Sequence, residues 1–418
     1  MNRTVRTMLV LVVASTTAAV AHAAPPELEV LHWWTAGGEA KSVGELKKML
    51  EAQGDKWKDF AVAGGGGENA MTVLKTRVVS GNPPAAAQIK GPTIQEWGDE
   101  GALTSIDDVA HAGGWDAALP PIVAEIMKYK GHYVAAPVNV HRNNWLWVNP
   151  AVFARAGAKV PTNFDEFFAA ADKLQKLGVI PVAQGGQPWQ DATMFESVTL
   201  GVAGVDFYRR AFMKLDRSAI LSPTMLKVLE TYKRIKPYTD KNAPGRDWNL
   251  ATGLVINGKA GMQFMGDWAK GEFLAAGKVP GKDFVCVPAP STANAFLFNI
   301  DSFVMFKQTR KDNEKGQRDL ATTLMSPKFQ ELFNLNKGSI PVRANADMQK
   351  FDSCAQQSAK DFAADGRSGT LLPSWAHGMA LHQSVAGALQ DVVSSFWNSD
   401  HMTAKEAQQK LAGALGSQ

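Results

Sequence analysis

The sequence is poor in cysteine and tyrosine. It has 2 Cys among 418 residues, and only 5 Tyr beside 12 Trp. Two cysteines are too few for a disulfide framework, and the spacing of Cys286 and Cys354 excludes a CxxC redox motif and a zinc cluster. The sequence leaves two alternatives for this pair: one disulfide that closes a long loop, or two buried thiols.

Excess charge of either sign is also missing. The 44 Lys and Arg residues nearly balance the 40 Asp and Glu residues, which gives a formal charge of +4, and no basic run occurs. A nucleic-acid-binding surface needs concentrated positive charge, so we expect no nucleic acid partner. The remaining composition, 45% hydrophobic and 20% charged, is typical of globular proteins and excludes wholesale disorder.

Common catalytic signatures are absent. There is no HExxH, GxSxG or Walker GxxxxGK[ST] motif, and the glycine run at 64–67 does not complete GxGxxG. We therefore expect no cofactor, no metal and no catalytic residues. A glycosidase needs only two carboxylates about 5–10 Å apart, so this enzyme class stays as an alternative. The candidates for such a pair are Glu39, Asp267, Glu272 and Asp301.

The N-terminus has the pattern of an export signal. Arg3 and Arg6 precede an apolar stretch at 8–20, and Ala21-His22-Ala23 has the A-x-A form of a cleavage site. We predict a cleaved signal peptide over residues 1–23. The stretch is shorter than the ~20 residues that span a bilayer, and no other apolar run approaches that length. The mature chain is therefore predicted to be soluble.

Short apolar strands alternate with amphipathic helices in the first part of the chain. Strands are predicted at 27–32, 60–63 and 85–89, with helices between them. This alternation indicates βαβ units and a parallel sheet, in which ligands bind beyond the carboxyl ends of the strands. Those ends carry Trp33-Trp34, the glycine run before Glu68, and Gln88-Ile89-Lys90.

A second α/β region begins near Pro137. Asn163, with Glu166 three residues later, predicts the start of a helix. An apolar stretch at 295–306 is interrupted by Asn299 and Asp301. A carboxylate inside such a strand is costly to bury alone, so we expect a partner for it. The simplest architecture is two α/β lobes with a cleft between them.

Four segments carry a family resemblance. They are His32-Trp33-Trp34-Thr35-Ala36-Gly37-Gly38-Glu39, Asn139-Val140-His141-Arg142-Asn143-Asn144, Asn257-Gly258-Lys259-Ala260-Gly261-Met262 and Gly266-Asp267-Trp268. Together they resemble the extracellular solute-binding proteins of carbohydrate ABC importers. More narrowly, the chain is similar to glucose-binding proteins of proteobacteria such as pseudomonads, and the resemblance covers essentially all of the mature chain.

The resemblance implies an α/β fold of the two-lobe periplasmic-binding-protein type (type II), with hinge crossings and an interlobe cleft. The N-terminal lobe is expected at 24–137 and 300–341, and the C-terminal lobe at 138–299 and 342–418. The implied function is periplasmic binding of a monosaccharide, D-glucose foremost, by a monomer that delivers it to the membrane permease by lobe closure. A binder of a disaccharide or maltodextrin is the alternative.

The resemblance also implies a set of ligand-binding residues. Aromatic rings cover the C–H faces of a sugar, and charged groups bind its hydroxyls strongly. The expected residues are Trp33, Trp34, Glu39, Gln88, Lys90, Trp268, Asn299, Asp301, Lys337 and His377. For His141 and Arg142 two roles stay open, ligand contact or cleft wall, and Trp375 is either core or site.

Overall fold

A computed structural model describes residues 27–416 of the chain. The predicted signal peptide, 1–23, lies outside the described residues. The described strands are β1 Glu27–His32, β2 Lys56–Ala61, β3 Ala86–Ile89, β4 Lys128–Tyr129, β5 His132–Tyr133, β6 Ala135–Arg142, β7 Trp145–Val148, β8 Ile180–Val182, β9 Ala260–Phe264, β10 Val285–Pro288, β11 Phe296–Met305 and β12 Leu371–Pro373.

The described α-helices lie between and around these strands. They are α1 Gly37–Ala52, α2 Glu68–Val79, α3 Thr93–Asp99, α4 Asp107–Ala112, α5 Trp115–Ala118, α6 Pro121–Ile126, α7 Pro150–Ala156, α8 Phe164–Lys176, α9 Pro188–Tyr208, α10 Arg217–Ile220, α11 Pro223–Ile235, α12 Trp248–Ile256, α13 Ala269–Ala275, α14 Lys311–Leu324, α15 Pro327–Lys337, α16 Ser353–Ser368, α17 Gln383–Asn398 and α18 Ala404–Ala414. None of those between residues 27 and 416 is long and apolar enough to cross a bilayer.

The first sheet has six strands in the order β12-β11-β3-β1-β2, with β6 also paired to β11. β1 runs parallel to β2 and β3, as the βαβ pattern predicts. The prediction of a parallel sheet is nevertheless wrong as a whole, because β11 runs antiparallel to both β3 and β6. The second strand was also misplaced: it covers Lys56–Ala61 rather than 60–63.

The second sheet has four strands in the order β10-β7-β9-β8. β7 is antiparallel to β9 and β10, and only β8 and β9 run parallel. Helix α8 begins as predicted: the Asn163 side chain accepts a hydrogen bond from the Glu166 amide at 2.9 Å. Its buried face presents Phe167, Phe168 and Leu174 to the core of this region, as the spacing of these residues predicts.

Strands β6 and β11 connect the two regions. All residues of both strands are buried, and they pair antiparallel, with an irregularity of register at Asp301 and Ser302. One hydrophobic core packs around the first sheet and a second around the helices of the other region. The lobe boundaries stay a prediction; Val342, Phe351 and Phe362 pack in the first core, which favours counting 342–372 with the first lobe.

A disulfide links the two regions on the side of α16. Cys286 of β10 and Cys354 of α16 are joined, with their Cα atoms 6.1 Å apart. Beside it, Lys270 Nζ lies 2.9 Å from Asp352 Oδ2. Further along α16, Phe362 packs edge-on against Phe296 of β11. This helix is therefore bonded covalently to the second sheet and packed against the first.

Candidate functional site

A cavity lies where the carboxyl ends of β1 and β3 face β11 and the loop before α13. It contains about 310 Å³ of atom-free space, counting its opening to solvent. Its lining is Trp33, Trp34, Glu39, Gly65, Lys90, His141, Trp248, Trp268, Asn299, Asp301, Lys337 and His377. The structure thus brings together every residue of the expected ligand-binding set except Gln88.

Gln88 lies behind the cavity wall. It is fully buried, its Oε1 accepts a hydrogen bond from the Trp33 amide at 3.3 Å, and its Nε2 donates to Asp301 Oδ1 at 3.2 Å. The side chain therefore fixes two cavity residues relative to each other. Its position makes it a positioning residue.

A histidine between two carboxylates forms the floor of the cavity. His141 Nε2 lies 3.0 Å from Asp301 Oδ2, and its Nδ1 is hydrogen-bonded to Asp267 Oδ1. Burial alone would lower the pKa of His141, but the two carboxylates outweigh it and the pKa is raised. Burial would raise the pKa of Asp301, but His141, Lys337 and Lys90 hold it well below its usual range. His141 is therefore the partner that the sequence led us to expect for Asp301.

The neighbouring Arg142 points away from the cavity. Its guanidinium binds Asp361 at 2.5 Å and stacks 4.3 Å from the centre of the Trp145 ring. The sequence left the roles of His141 and Arg142 undecided. In the structure, His141 lines the cavity and Arg142 supports its wall. Trp375 is also core: it is fully buried and stacks on Phe212 with ring centres 5.2 Å apart.

Lys337 and Glu39 form a buried ion pair on one wall. Their Nζ and Oε1 atoms lie 2.5 Å apart, at the end of α15 and the start of α1. Phe303 and Phe333 pack against the nearby Trp34, with ring centres 5.5 and 5.1 Å away. The two tandem tryptophans therefore differ: Trp34 belongs mainly to the core.

Trp33 is held between a glycine and a lysine. Lys90 Nζ lies 5.2 Å from the centre of the Trp33 ring, and a Cβ atom added to Gly67 would lie 3.1 Å from that ring. Gly67 has φ of +96°, which only glycine adopts at little cost. Burial lowers the pKa of Lys90, while Asp301 and Glu68 oppose this. Within 27–416 no hydrogen bond or ion pair occupies its ammonium group, which leaves donors available to a ligand.

The opposite wall is aromatic. Trp268 lies 4.9 Å from the His377 ring and edge-on to His141 at 5.3 Å, centre to centre. Burial, with Lys90 and His141 nearby, lowers the pKa of His377 well below its usual range, so this imidazole is neutral. Its Nε2 lies 2.8 Å from Thr193 Oγ1 of α9.

Two lining residues, Trp248 and Gly65, were missed by the sequence reasoning. A Cβ atom at Gly65 would lie 2.8 Å from the rings of both Trp189 and Trp248. The glycine run therefore marks a close approach of the backbone to an aromatic wall. No local signal singles out Trp248, because only the fold brings the start of α12 to this loop.

The charges that line the cavity balance. Lys90, Lys337 and His141, whose pKa is raised, face the carboxylates of Glu39, Asp267 and Asp301 in and beside the lining. One acceptor is unused: the buried Asn299 Oδ1 has no hydrogen-bond partner among the described residues. A neutral ligand with hydroxyl donors suits this site, since a net ionic ligand would upset the balance and Asn299 needs a donor.

Comparison with known proteins identifies the family. The family described as bacterial extracellular solute-binding protein matches residues 40–331, more than half of the chain. This chain belongs to the bacterial extracellular solute-binding proteins. A "Probable sugar-binding periplasmic protein" of Rhizobium meliloti is 48% identical over 398 residues, which are 95% of each chain.

Solved structures of solute-binding proteins share the fold. A "Chitin oligosaccharide binding protein" superposes with a TM-score of 0.80 at 18% identity, covering 94% of this chain and 98% of its own. The structure titled "Maltose bound T. maritima MalE3" gives 0.74 at 16% identity, covering 93% and 98%. These likenesses confirm the two-lobe α/β fold expected for this solute-binding protein.

A buried carboxyl group positions the segment that carries His377 in this solute-binding protein. Glu196 of α9 accepts hydrogen bonds from Ser374 Oγ at 2.6 Å and from Tyr208 Oη at 3.1 Å. Ser374 Oγ in turn accepts one from the His377 amide at 3.1 Å. Burial raises the pKa of Glu196 to about 7.

We expect Glu196 to make the folded protein less stable as the pH rises. The ordinary pKa of 4.5 applies in the unfolded chain, so between pH 4.5 and about 7 the folded state keeps a proton that the unfolded state releases. The free energy of unfolding then falls by about 3 kcal/mol over this range on account of this group. Urea denaturation at pH 5 and pH 8 measures the fall.

Glu196→Gln isolates this contribution, because glutamine keeps the hydrogen-bonding shape and does not titrate. Between pH 5 and pH 8, the free energy of unfolding of this variant should fall by about 3 kcal/mol less than that of the native protein. The exposed Glu230→Gln is the control and should show the same fall as the native protein. If the free energy of unfolding of Glu196→Gln fell as much as that of the native protein, Glu196 would be ionised throughout this pH range.

The described residues offer no metal centre. Between 27 and 416, no group of three or more His, Cys, Asp or Glu side chains is arranged to hold a metal ion. The carboxylates considered for a glycosidase are engaged: Glu39 with Lys337, Asp267 and Asp301 with His141, and Glu272 Oε1 with the Gly38 amide at 2.8 Å. Asp301, with its low pKa, is no proton donor at neutral pH.

Proposed function

We propose that the protein binds a monosaccharide, D-glucose, in the periplasm and delivers it to the membrane permease of a sugar ABC importer. The observation that carries this proposal is the cavity itself. It combines aromatic surface with paired, charge-balanced polar groups, the chemistry that suits an uncharged polyhydroxylated ring. The predicted export signal supports the location, and the name of the Rhizobium relative supports a sugar as the ligand.

The binding roles follow from the geometry of the cavity. Trp268 and Trp33, two of the aromatic side chains of the lining, supply apolar surface for the C–H side of the ring. Asn299 binds a hydroxyl with its Oδ1 atom, which has no partner among the described residues, and Lys90 binds another with its ammonium group. Asp301, Glu39, Lys337 and His377 bind the remaining hydroxyls with groups already oriented by their neighbours, so little ordering is needed on binding. No covalent step, metal or cofactor takes part.

Closure of the lobes couples binding to delivery. The cavity takes residues from both regions, and the Gly38 amide of α1 reaches Glu272 of α13 across the cleft. A ligand that contacts both sides stabilises the closed form, in proportion to the contacts it gains there. The permease then distinguishes a closed, loaded monomer from an open one. Hinge motion centres on β6 and β11, the strands that connect the two regions.

Isothermal titration of the mature protein, freed of bound sugar, with D-glucose, D-galactose and maltose tests the proposal. We expect saturable one-site binding of glucose without turnover. A preference for maltose would favour the second candidate, a binder of disaccharides or maltodextrins, which the maltose-bound and chitin-oligosaccharide structural neighbours support. Absence of binding, with reducing ends released from a chromogenic glycoside, would contradict the proposal.

Lys90→Gln should lower the affinity for glucose by about 10- to 100-fold, since a hydrogen bond from a charged donor is worth about 1.5–3 kcal/mol. Titration calorimetry measures the change. The exposed Lys282→Gln is the matched control and should bind as the native protein does. Native affinity in Lys90→Gln would mean that this ammonium does not contact the sugar.

A further inference from the structure

His32 is the last residue of β1 and stands directly before the tandem tryptophans. Its side chain is buried and does not line the cavity. Both ring nitrogens are occupied: Nε2 lies 2.8 Å from Asp59 Oδ1 of β2, and Nδ1 accepts a hydrogen bond from the Trp34 amide at 3.3 Å. The imidazole therefore connects β2 to the backbone just beyond the end of β1.

These two bonds determine which nitrogen of His32 carries the proton. The Trp34 amide is a donor, so the Nδ1 atom that accepts from it is unprotonated. The proton of the neutral ring is then on Nε2, which donates it to Asp59. The Asp59 side chain is exposed, and the hydrogen bond from His32 is the main cause that lowers the pKa of its carboxyl group. Asp59 therefore favours the tautomer of His32 that can accept from Trp34.

The Trp34 amide depends on this acceptor. No other hydrogen bond of this amide occurs among residues 27–416, and Trp34 is only 2% exposed, so water cannot replace the imidazole. An amide that is buried without a partner is costly. The preceding amide, that of Trp33, is likewise held by a side chain, since it donates to Gln88 Oε1 at 3.3 Å. His32 and Gln88 thus fix a stretch of backbone that lies beyond the pairing of β1 with β2.

This stretch of backbone carries part of the cavity lining. Trp33, Trp34 and Glu39 all line the cavity, and they lie in the segment 33–39 between the end of β1 and the first turn of α1. A change in the direction of the chain at Trp34 would therefore shift these side chains relative to the other lining residues, Lys90 and Lys337 among them.

We propose that His32 is a positioning residue of the sugar site: its imidazole, oriented by Asp59, anchors the Trp34 amide and thereby the segment 33–39. The inference rests on the proposed function and assigns a role to a residue that does not touch the sugar. Without this acceptor the segment takes several courses in the sugar-free protein, and binding has to order it. Ordering a segment on binding costs free energy, so the affinity for the sugar falls.

His32→Gln and His32→Asn separate the two bonds of the imidazole. Glutamine places an amide nitrogen as many bonds from the backbone as Nε2, so it keeps the donor to Asp59 and loses the acceptor for Trp34. Asparagine places an oxygen as many bonds away as Nδ1 and keeps that acceptor. In calorimetric titrations the glucose affinity should fall about fivefold or more in His32→Gln and stay within about twofold in His32→Asn. The exposed His111→Gln is the matched control and should bind as the native protein does.

A spectroscopic measurement tests the tautomer without any sugar. Long-range proton–nitrogen NMR correlations of the native protein should show a protonated Nε2 and an unprotonated Nδ1 for His32, whose signals are assigned by their absence in His32→Asn. Asp59→Ala changes an exposed side chain and should fold as the native protein does. In this variant His32 should populate both tautomers, and the glucose affinity should fall about twofold or more.

The outcomes of these experiments differ for the two proposals. A proton on Nδ1 of His32 in the native protein, or an equal loss of glucose affinity in His32→Gln and His32→Asn, overturns the positioning role. Circular dichroism of each variant should match the native spectrum; if His32→Gln does not fold, an unchanged glucose affinity in Asp59→Ala overturns the role. Failure of the native protein to bind glucose, galactose or maltose overturns the proposed function instead, whatever the NMR signals show.

Discussion

Asp301→Ala is expected to abolish measurable sugar binding and to leave the fold intact. The change removes a carboxylate that is hydrogen-bonded to His141 and Gln88 and whose charge acts on Lys90 and Lys337. Loss of hydrogen bonds to a charged acceptor costs about 1.5–3 kcal/mol each, so the affinity should fall about 100-fold or more. Titration calorimetry with glucose measures the fall.

The fold should survive because His141 keeps its second carboxylate. Asp267 still pairs with the imidazole and accepts from the Arg142 amide at 3.0 Å. Circular dichroism of Asp301→Ala should therefore match the native spectrum. Asp301→Asn tests charge against shape, since the amide keeps the size and loses the charge. The exposed Asp206→Ala is the control for removal of a carboxylate. Native glucose affinity in Asp301→Ala would refute the site assignment.

Loss of the disulfide is expected to cost about 4 kcal/mol of the free energy of unfolding. The bond joins residues 68 positions apart, and closing a loop of this length restricts the unfolded chain by about that amount. The double variant Cys286→Ser/Cys354→Ser removes the bond without leaving a free thiol. Guanidinium denaturation of native and variant proteins under oxidising conditions measures the difference.

The double variant should also leave the two regions freer to move relative to each other, because it removes a covalent bond between them. The bond joins β10 to α16, and α16 packs on β11 and β12 of the other sheet. Reduction of the native protein with dithiothreitol should reproduce the loss of stability, whereas the double variant should be insensitive to it. A free-thiol mass for the native protein, or an unchanged midpoint on reduction, would contradict the expectation.

Local patterns of the sequence were sufficient for much of the fold. The strand–helix alternation placed β1 and β3, and their carboxyl ends placed Trp33 and Lys90 at one edge of the sheet, where the structure has them. The cap at Asn163 and the aromatic face of α8 follow from spacing alone. These features depend on neighbours a few residues apart, which is why the sequence reveals them.

Features that depend on distant segments were not predictable in the same way. The direction of β11 is set by its pairing with β6, about 160 positions away. Trp34 looks like Trp33 in the sequence, and only the arrival of Phe303 and Phe333 encloses it. The contact of Gln88 with Asp301, and the closure of Trp248 over Gly65, likewise need the assembled lobes. The sequence could not decide whether the two cysteines form a disulfide, because a bridged pair and two buried thiols are both compatible with it.

The balance of charge around the cavity has a consequence for the environment in which the protein works. Lys90, Lys337 and His141 are offset by three carboxylates within the same small volume, so the cavity projects little net field into solvent. Capture of an uncharged solute then gains nothing from long-range steering and loses nothing to screening by ions. The affinity and the rate of capture should stay constant across changes in ionic strength, such as those caused by osmotic shifts around the cell.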